Sequence, residues 1–426
     1  MWRRLIALAW GLSALSAMAA QPLTGGDHDY DALLALTANA RVVLLGEATH
    51  GSREFYRERA RITRRLIEEQ GFGAVVFEAP WEPMRRVDAY VRGEGRDVDA
   101  AAALAGFVRF PDWPSRNGEM RDFVETLRAL NATPARRGRP VRLYGMDVYS
   151  VPESADAVVR HVARRSIAAA AEARRRYRCF DEYAEPSLYG RESEAGRAPS
   201  CAEGAAAQLS EMQAAVADED DFTAWQSARV VSSGEGYYRA LYRGESIGSW
   251  NLRERHMGDT IVQLAERMGP LSKVVVWGHN LHQGDARATA QASGGELSLG
   301  QLMREHHGDD AVLVGFSTHR GSVRAAPEWG ARDRVRRLRP ALPESWHGRL
   351  HRSGPPDALL VFRGNPALAA KYAASRPQRA VGVLYLPGTE RRDHYFNAAL
   401  SEQFDAVIHL DVTTALDTLG RSAAPR

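Results

Sequence analysis

Cysteine and lysine are scarce in this chain. Two cysteines, Cys179 and Cys201, stand in 426 residues, with no histidine beside them at metal-ligand spacing. That excludes a cysteine-rich zinc module. Lys273 and Lys371 are the only lysines, so the basic residues are almost all arginine. Lysine plus arginine number 56 against 53 acidic residues, a formal net charge of +3. A surface this close to neutral offers little to a phosphate backbone, and nucleic acid is not an expected partner. Beyond the first twenty residues no apolar run is long enough to cross ~30 Å of hydrocarbon, so no span is expected in the mature chain. Neither Gly-x-Gly-x-x-Gly nor a phosphate loop follows any apolar run, and no nucleotide cofactor is indicated. Repeats and low-complexity tracts are absent as well.

At the start the composition is different. Met1–Ala20 carries Arg3 and Arg4, an apolar stretch from Leu5 to Leu15, and Ala17-Met18-Ala19 at small-x-small spacing. These are the parts of a secretory signal peptide, which predicts removal of residues 1–20 and a periplasmic or secreted protein. In an oxidising compartment two cysteines 22 positions apart on a polar stretch are expected to pair, stabilising the fold by roughly 3 kcal/mol.

Short apolar, β-branched runs then recur between turn residues: Val42–Leu45, Ala74–Phe77, Val141–Tyr144, Val274–Trp277, Ala311–Phe316, Leu359–Phe362, Val381–Leu386 and Ala406–Leu410. Several are continuous rather than alternating, as in strands buried on both faces. Between the first two lies Arg53–Gln70, with Phe55, Ile62 and Leu66 on one helical stripe and Gly71-Phe72-Gly73 as its stop. The pattern predicts an α/β fold with a mainly parallel sheet flanked by helices, over residues 21–426. Within it, residues of about 152–250 read as a helical insertion or cap, with helices over Ala155–Tyr177 and Ala202–Val216. Gly321–Pro356, rich in Arg and Pro, reads as a long functional loop.

In parallel α/β sheets ligands bind beyond the carboxyl ends of the strands. Glu47 and His50 follow the first run, Glu78 the second, and Asp147 the third. His279, Asn280 and His282 follow Val274–Trp277, and Ser317-Thr318-His319 follow Ala311–Phe316. Two chemistries suit acids and histidines gathered at one sheet edge. In the first, His50 takes a proton from water, Glu47 or Glu78 orients its ring, and an arginine such as Arg59 or Arg253 steadies the oxyanion. In the second, Glu47-x-x-His50 and His279-x-x-His282 ligate a divalent metal. Gly244-Glu245-Ser246-Ile247-Gly248 fits the nucleophile-elbow pattern, but no buried strand precedes Ser246, and it is set aside. Trp81, Tyr237, Tyr238 and Trp250 are candidates for an apolar pocket wall or for ordinary core.

Several of these segments resemble the erythromycin esterase family. They are Val42 through Gly51, the Glu78 strand end, Leu143-Tyr144-Gly145-Met146-Asp147 and Asn251-Leu252-Arg253-Glu254. Trp277 through His282, Val381-Gly382-Val383 through His394-Tyr395-Phe396, and Phe404 through Ile408 complete the set. The resemblance covers about residues 35–415. It implies an α/β core with a helical cap over a deep cleft and hydrolysis of an ester or macrolide lactone. The leading reading, water activated by His50, requires no cofactor, and a divalent metal belongs to the alternative. By motif His50 is the general base, and Glu47, Glu78, His279, His282, Arg59 and Arg253 line the cleft. The expected partner is a small-molecule ester. Two alternatives stand beside this reading: a metal-dependent hydrolase of another ester or a peptide, and a non-catalytic periplasmic protein binding metal, haem or a small ligand. Oligomeric state is not legible.

Overall fold

The computed structural model describes residues 20–183 and 185–420. The leader expected over residues 1–20 therefore lies, but for Ala20, outside the described residues. Among these residues no helix is long and apolar enough to cross a membrane.

The frame is a nine-stranded, mostly parallel sheet. Its strands are β1 (Gln21–Pro22), β2 (Val42–Leu45), β3 (Ala74–Pro80), β4 (Arg142–Asp147), β5 (Val274–Trp277), β6 (Ala311–Ala325), β7 (Arg334–Leu338), β8 (Asp357–Val361) and β11 (Ala406–Thr413). A separate hairpin pairs β9 (Arg376–Arg379) with β10 (Tyr395–Ala398). The main order is β1-β8-β11-β6-β2-β5-β3-β4, with β7 appended to β6. Pairings from β11 through β4 are parallel, while β8, β1 and β7 run antiparallel at the margins. The fold is α/β, as the runs of Val, Leu and Ile predict.

Those runs are continuous because both sheet faces are covered. Val43, Leu45, Val75, Phe77, Val275, Trp277, Val312 and Val314 face one core. Their neighbours Val42, Leu44, Ala74, Val76, Val274, Val276, Ala311 and Leu313 face the other. Successive strand residues point to opposite faces, so a polar residue in either position would be buried. Helix α1 (Arg53–Gln70) packs Phe55, Ile62 and Leu66 on the first core and ends at Gly71, whose φ of 76° suits a residue without Cβ.

From Val151 to Met268 the chain is helical and has a core of its own, including Val151, Val158, Tyr177, Tyr189, Cys201 and Val231. Three of its helices are α2 (Val151–Ala163), α3 (Glu219–Tyr242) and α4 (Ser246–Met268). A disulfide joins Cys179 to Cys201, with Cα atoms 5.7 Å apart. The single helix expected over Ala155–Tyr177 is two, because Ser166 caps a new start by accepting the Ala169 N–H. Its neighbour ends at Ala214 rather than Val216.

Other expectations need correction. Gly321–Pro356 is not a long loop: it holds the end of β6, the β7 hairpin arm and helix α6 (Trp346–Ser353). Val381–Leu386 is not a strand; only isolated bridges fix it, Thr49 to Val381 and Ala326 to Leu384. Ser317, Thr318 and His319 do not follow β6 but lie inside it. Glu78 is likewise within β3, and Asp147 is the last residue of β4.

Candidate active site

Register places the site. Leu45 lies opposite both Trp277 and Val314, and Phe77 opposite Trp277, so the residues following β2 and β5 meet Glu78 of β3 at one edge. Asn280, opening the short helix α5 (Asn280–Gln283), staples three of these segments. Its backbone N–H donates to Glu47 O at 2.9 Å. Its side-chain amide donates to Phe316 O at 2.7 Å and accepts the Phe316 N–H at 3.1 Å. Such close approach leaves no room for side chains at two turns. A Cβ on Gly46 would lie 2.1 Å from Asn280 Oδ1, and one on Gly278 would lie 2.3 Å from Gln283 Nε2.

Glu47 is 2% exposed and lies between two donors. His50 Nδ1 is 2.7 Å from Oε1, and Arg59 Nη2 donates to Oε2 at 2.7 Å. A carboxylate paired with arginine only accepts, so the His50 proton is assigned to Nδ1 and Nε2 keeps a lone pair. That nitrogen is 3.9 Å from Glu78 Oε1.

Glu78 is saturated on its other sides. Arg253 Nη2 donates to Oε1 at 2.8 Å, His282 Nε2 lies 3.1 Å from the same oxygen, and the His279 backbone N–H donates to Oε2 at 2.8 Å. Burial alone would raise its pKa. The charge and hydrogen bond of His282 and the charge of Arg253 outweigh burial and hold the carboxyl well below the usual range. Arg253 is in turn gripped by Asp147, Nε to Oδ1 at 2.9 Å and Nη2 to Oδ2 at 2.6 Å.

The two histidines of His279-x-x-His282 have opposite characters. His279 is buried and packed against His50 with ring centroids 4.9 Å apart. Burial, reinforced by His50, pushes its pKa well down, so the ring is neutral. Its Nδ1 accepts the Leu281 N–H at 3.2 Å. His282 sits between Glu78 and the fully buried Glu254, which takes its Nδ1–H. Burial opposes its charge, but Glu254 and Glu78 prevail and lift the pKa to about 9. The Trp250 ring stacks on it at 4.7 Å.

These groups line a cavity of about 250 Å³. His50, Glu78, Asp147, Arg253, His279 and His282 are among its polar lining, and Phe107, Phe110, Trp250, Leu281, Trp329 and Val383 are among its apolar walls. Six of the seven residues expected at the site are close together here, with Glu47 directly behind His50. Arg59 is not placed to meet an oxyanion. It lies behind Glu47, 2% exposed, beside a smaller cavity of about 30 Å³. Of the four aromatic candidates only Trp250 is in the wall: Trp81 stacks on Tyr144 in the core, and Tyr237 packs between Tyr149 and Tyr238. Ser246 is an exposed first residue of α4, with no strand before it. Among the described residues no group of three or more His, Cys, Asp or Glu is arranged to hold a metal ion.

Sequence reasoning gave no role to Glu254 and Asp147. The signal for Glu254 was available: Trp250, Arg253 and Glu254 are spaced i, i+3, i+4, one face of a helix. Asp147 at a strand end was visible, but not its partner 106 positions away.

Residues 67–413 match the profile of the family described as erythromycin esterase. The chain belongs to the erythromycin esterase family. The match takes in Glu78, Arg253, His279 and His282 and begins after Glu47, His50 and Arg59. Family membership supports a hydrolase that cleaves esters of small molecules. The fold is similar to solved structures of low identity. A succinoglycan biosynthesis protein superposes with a TM-score of 0.78 at 20% identity, covering 94% of this chain and 97% of that one. A Bacillus cereus protein gives 0.78 at 19% with the same coverages. A mutant of the erythromycin esterase EreC, in its open conformation, gives 0.66 at 16%, covering 95% and 98%.

Proposed function

We propose that this protein is an exported carboxylic-ester hydrolase that opens a lactone or cleaves an ester with water activated by His50. One observation carries the reading: Glu47 fixes the His50 proton on Nδ1, and the free Nε2 is 3.9 Å from Glu78 Oε1. A water hydrogen-bonded to both atoms at ordinary distances fits that gap. As its oxygen attacks the ester carbonyl, one proton passes to His50 Nε2, and the carbonyl oxygen gains charge. Arg253 and the protonated His282 are the fixed positive groups beside it, held in place by Asp147 and Glu254. Collapse of the tetrahedral intermediate breaks the C–O bond, and the Nε2 proton leaves with the alcohol. Acid and alcohol are the products, and His50 returns to its starting state.

The apolar walls suit the carbon skeleton of such a substrate. The leader sequence supports export to the periplasm or beyond. Together with the helices from Val151 onward, the cavity supports a cap-over-core arrangement.

The test uses mature protein, residues 21–426, with macrolides and simple activated esters followed by mass spectrometry. The expected product is heavier by one water when a lactone opens. His50→Ala is expected to lose activity by about 10²–10⁴-fold. Turnover unchanged in His50→Ala refutes the role of His50, and loss on chelation favours a metallohydrolase. No turnover of any ester by the wild type overturns the hydrolase reading.

A further inference from the structure

A second group of histidines lies outside the cavity. Ser317 and His319 share one face of β6, and His409 on β11 stands opposite Ser317 in the parallel register. Helix α6 lays His347 and His351, one turn apart, against them. Ser317 Oγ is 2.9 Å from His347 Nδ1 and 3.0 Å from His409 Nδ1. Asp411 Oδ1 is 2.5 Å from His351 Nδ1 and 3.6 Å from His409 Nε2, and the His319 and His351 rings stack at 3.8 Å. Three buried nitrogens of this group have no hydrogen-bond partner: His319 Nδ1, His347 Nε2 and His409 Nε2. The donors do not gather into a metal-holding set. What they have spare is capacity for protons.

Arg379, at the end of β9, sits against this group with a side chain 0% exposed. It donates to Thr318 O at 2.7 Å, His319 O at 2.9 Å and Arg339 O at 2.7 Å, and pairs with Glu390 Oε1 at 3.0 Å. Two residues later the chain reaches the site. Val381 N–H donates to Ala48 O at 2.9 Å, Val381 O accepts the His50 N–H at 3.2 Å, and Gly382 and Val383 form cavity wall. The backbone of His50 is thus tied to Arg379 through Ala380 and Val381.

We propose that Arg379, locked by Glu390, is a positioning residue for His50, and that the histidine group against it makes this clamp acid-labile. The kinetic part rests on the ester-hydrolase reading. The groups facing the histidines show where an added proton is opposed. On the hairpin side are Arg379, Glu390, His394, Tyr385 and Tyr395; on the sheet are His319, His409, Asp411 and, through the Asp411 N–H, Asp357; on α6 are His347 and His351. The carboxylates are committed, Asp411 to His351 and His409, Asp357 to the Asp411 N–H, and Glu390 to Arg379 and the Tyr385 hydroxyl. A proton on His347 meets the Arg379 guanidinium, and the Thr318 carbonyl 3.2 Å from Nδ1 offsets it only in part. Burial, then Arg379 and His409, hold His347 well below its ordinary pKa, and burial followed by His351 holds His319 at about 4. Folded, both are neutral at pH 7. Opened to water they regain the ordinary value near 6.5, so acid favours the opened segment progressively below about pH 6.5.

The test combines backbone hydrogen exchange over residues 376–398, corrected for intrinsic rates, with kcat and KM on an activated ester from pH 5 to 8. Wild type, His347→Gln and the double variant His347→Gln/His409→Gln are compared with Glu390→Gln. In wild type, exchange over the segment is expected to be at least about tenfold faster at pH 5 than at pH 7.5. Reversible loss of kcat should accompany it, with KM little changed. The histidine variants should flatten the exchange response and leave in kcat only the acid loss that protonation of the general base His50 itself brings, and Glu390→Gln should loosen the segment at pH 7.5 as well. Wild-type exchange that ignores pH overturns the proposal, as does an unaltered acid response in both histidine variants. Should wild type turn over no ester, the exchange measurement still decides the clamp while the hydrolase reading fails separately.

Discussion

The cavity and the β6–β11–α6 cluster are both rich in histidine, and they treat charge in opposite ways. In the cavity His50 has Glu47, His282 has Glu254 and Glu78, and a buried arginine is gripped by Asp147. In the second cluster His347 and His409 share a neutral serine hydroxyl, and the nearest cation is Arg379. At His282 the flanking carboxylates keep an imidazolium at neutral pH; at His347, buried against a guanidinium, none forms. Residue type alone does not set a histidine's role. The carboxylate beside it does.

That contrast breaks most severely at Arg253. Arg253→Ala leaves Asp147 buried without its cation and Glu78 with His282 alone, and should cost about 3–5 kcal/mol in urea unfolding together with nearly all ester turnover. A sharper cut is Glu254→Gln. The wild-type His282, with a pKa of about 9 against an ordinary 6.5, gives stability fully present below about pH 6.5 and lost as pH rises through 9. In Glu254→Gln this difference between pH 6 and pH 10, on the order of 3 kcal/mol, should largely vanish, and the alkaline limb of kcat should move toward neutrality. The mildest change is in the other cluster. His351 is 39% exposed, so His351→Gln should alter stability by about 1 kcal/mol or less and leave turnover at pH 7.5 unchanged.

Strands β2 and β5 match the apolar runs residue for residue, because burial on both faces admits nothing else. β9 was invisible for the converse reason. Arg376-Pro377-Gln378-Arg379 has no apolar signature and is a strand through its backbone pairing with Tyr395–Ala398. The apolar Val381–Leu386 stretch beside it spends its side chains on the cavity wall and a small core around Val323 and Tyr385 instead. At the site, residues that follow strands were legible because topology gathers strand ends. Arg59 was misread because i-to-j spacing does not say which side of Glu47 a helix presents. Glu254 and Asp147 act through partners far along the chain, which no local pattern reveals.

Glu78 accepts hydrogen bonds from Arg253, His282 and the His279 backbone, and Glu47 from His50 and Arg59. Neither carboxylate is free to carry a proton through the reaction. On the proposed mechanism the moving proton then rests on one nitrogen of one ring. What water gives up is what the departing alcohol receives, both by way of His50 Nε2 in succession. Such a mechanism predicts a linear proton inventory: in mixtures of H₂O and D₂O, kcat should fall along a straight line with deuterium content.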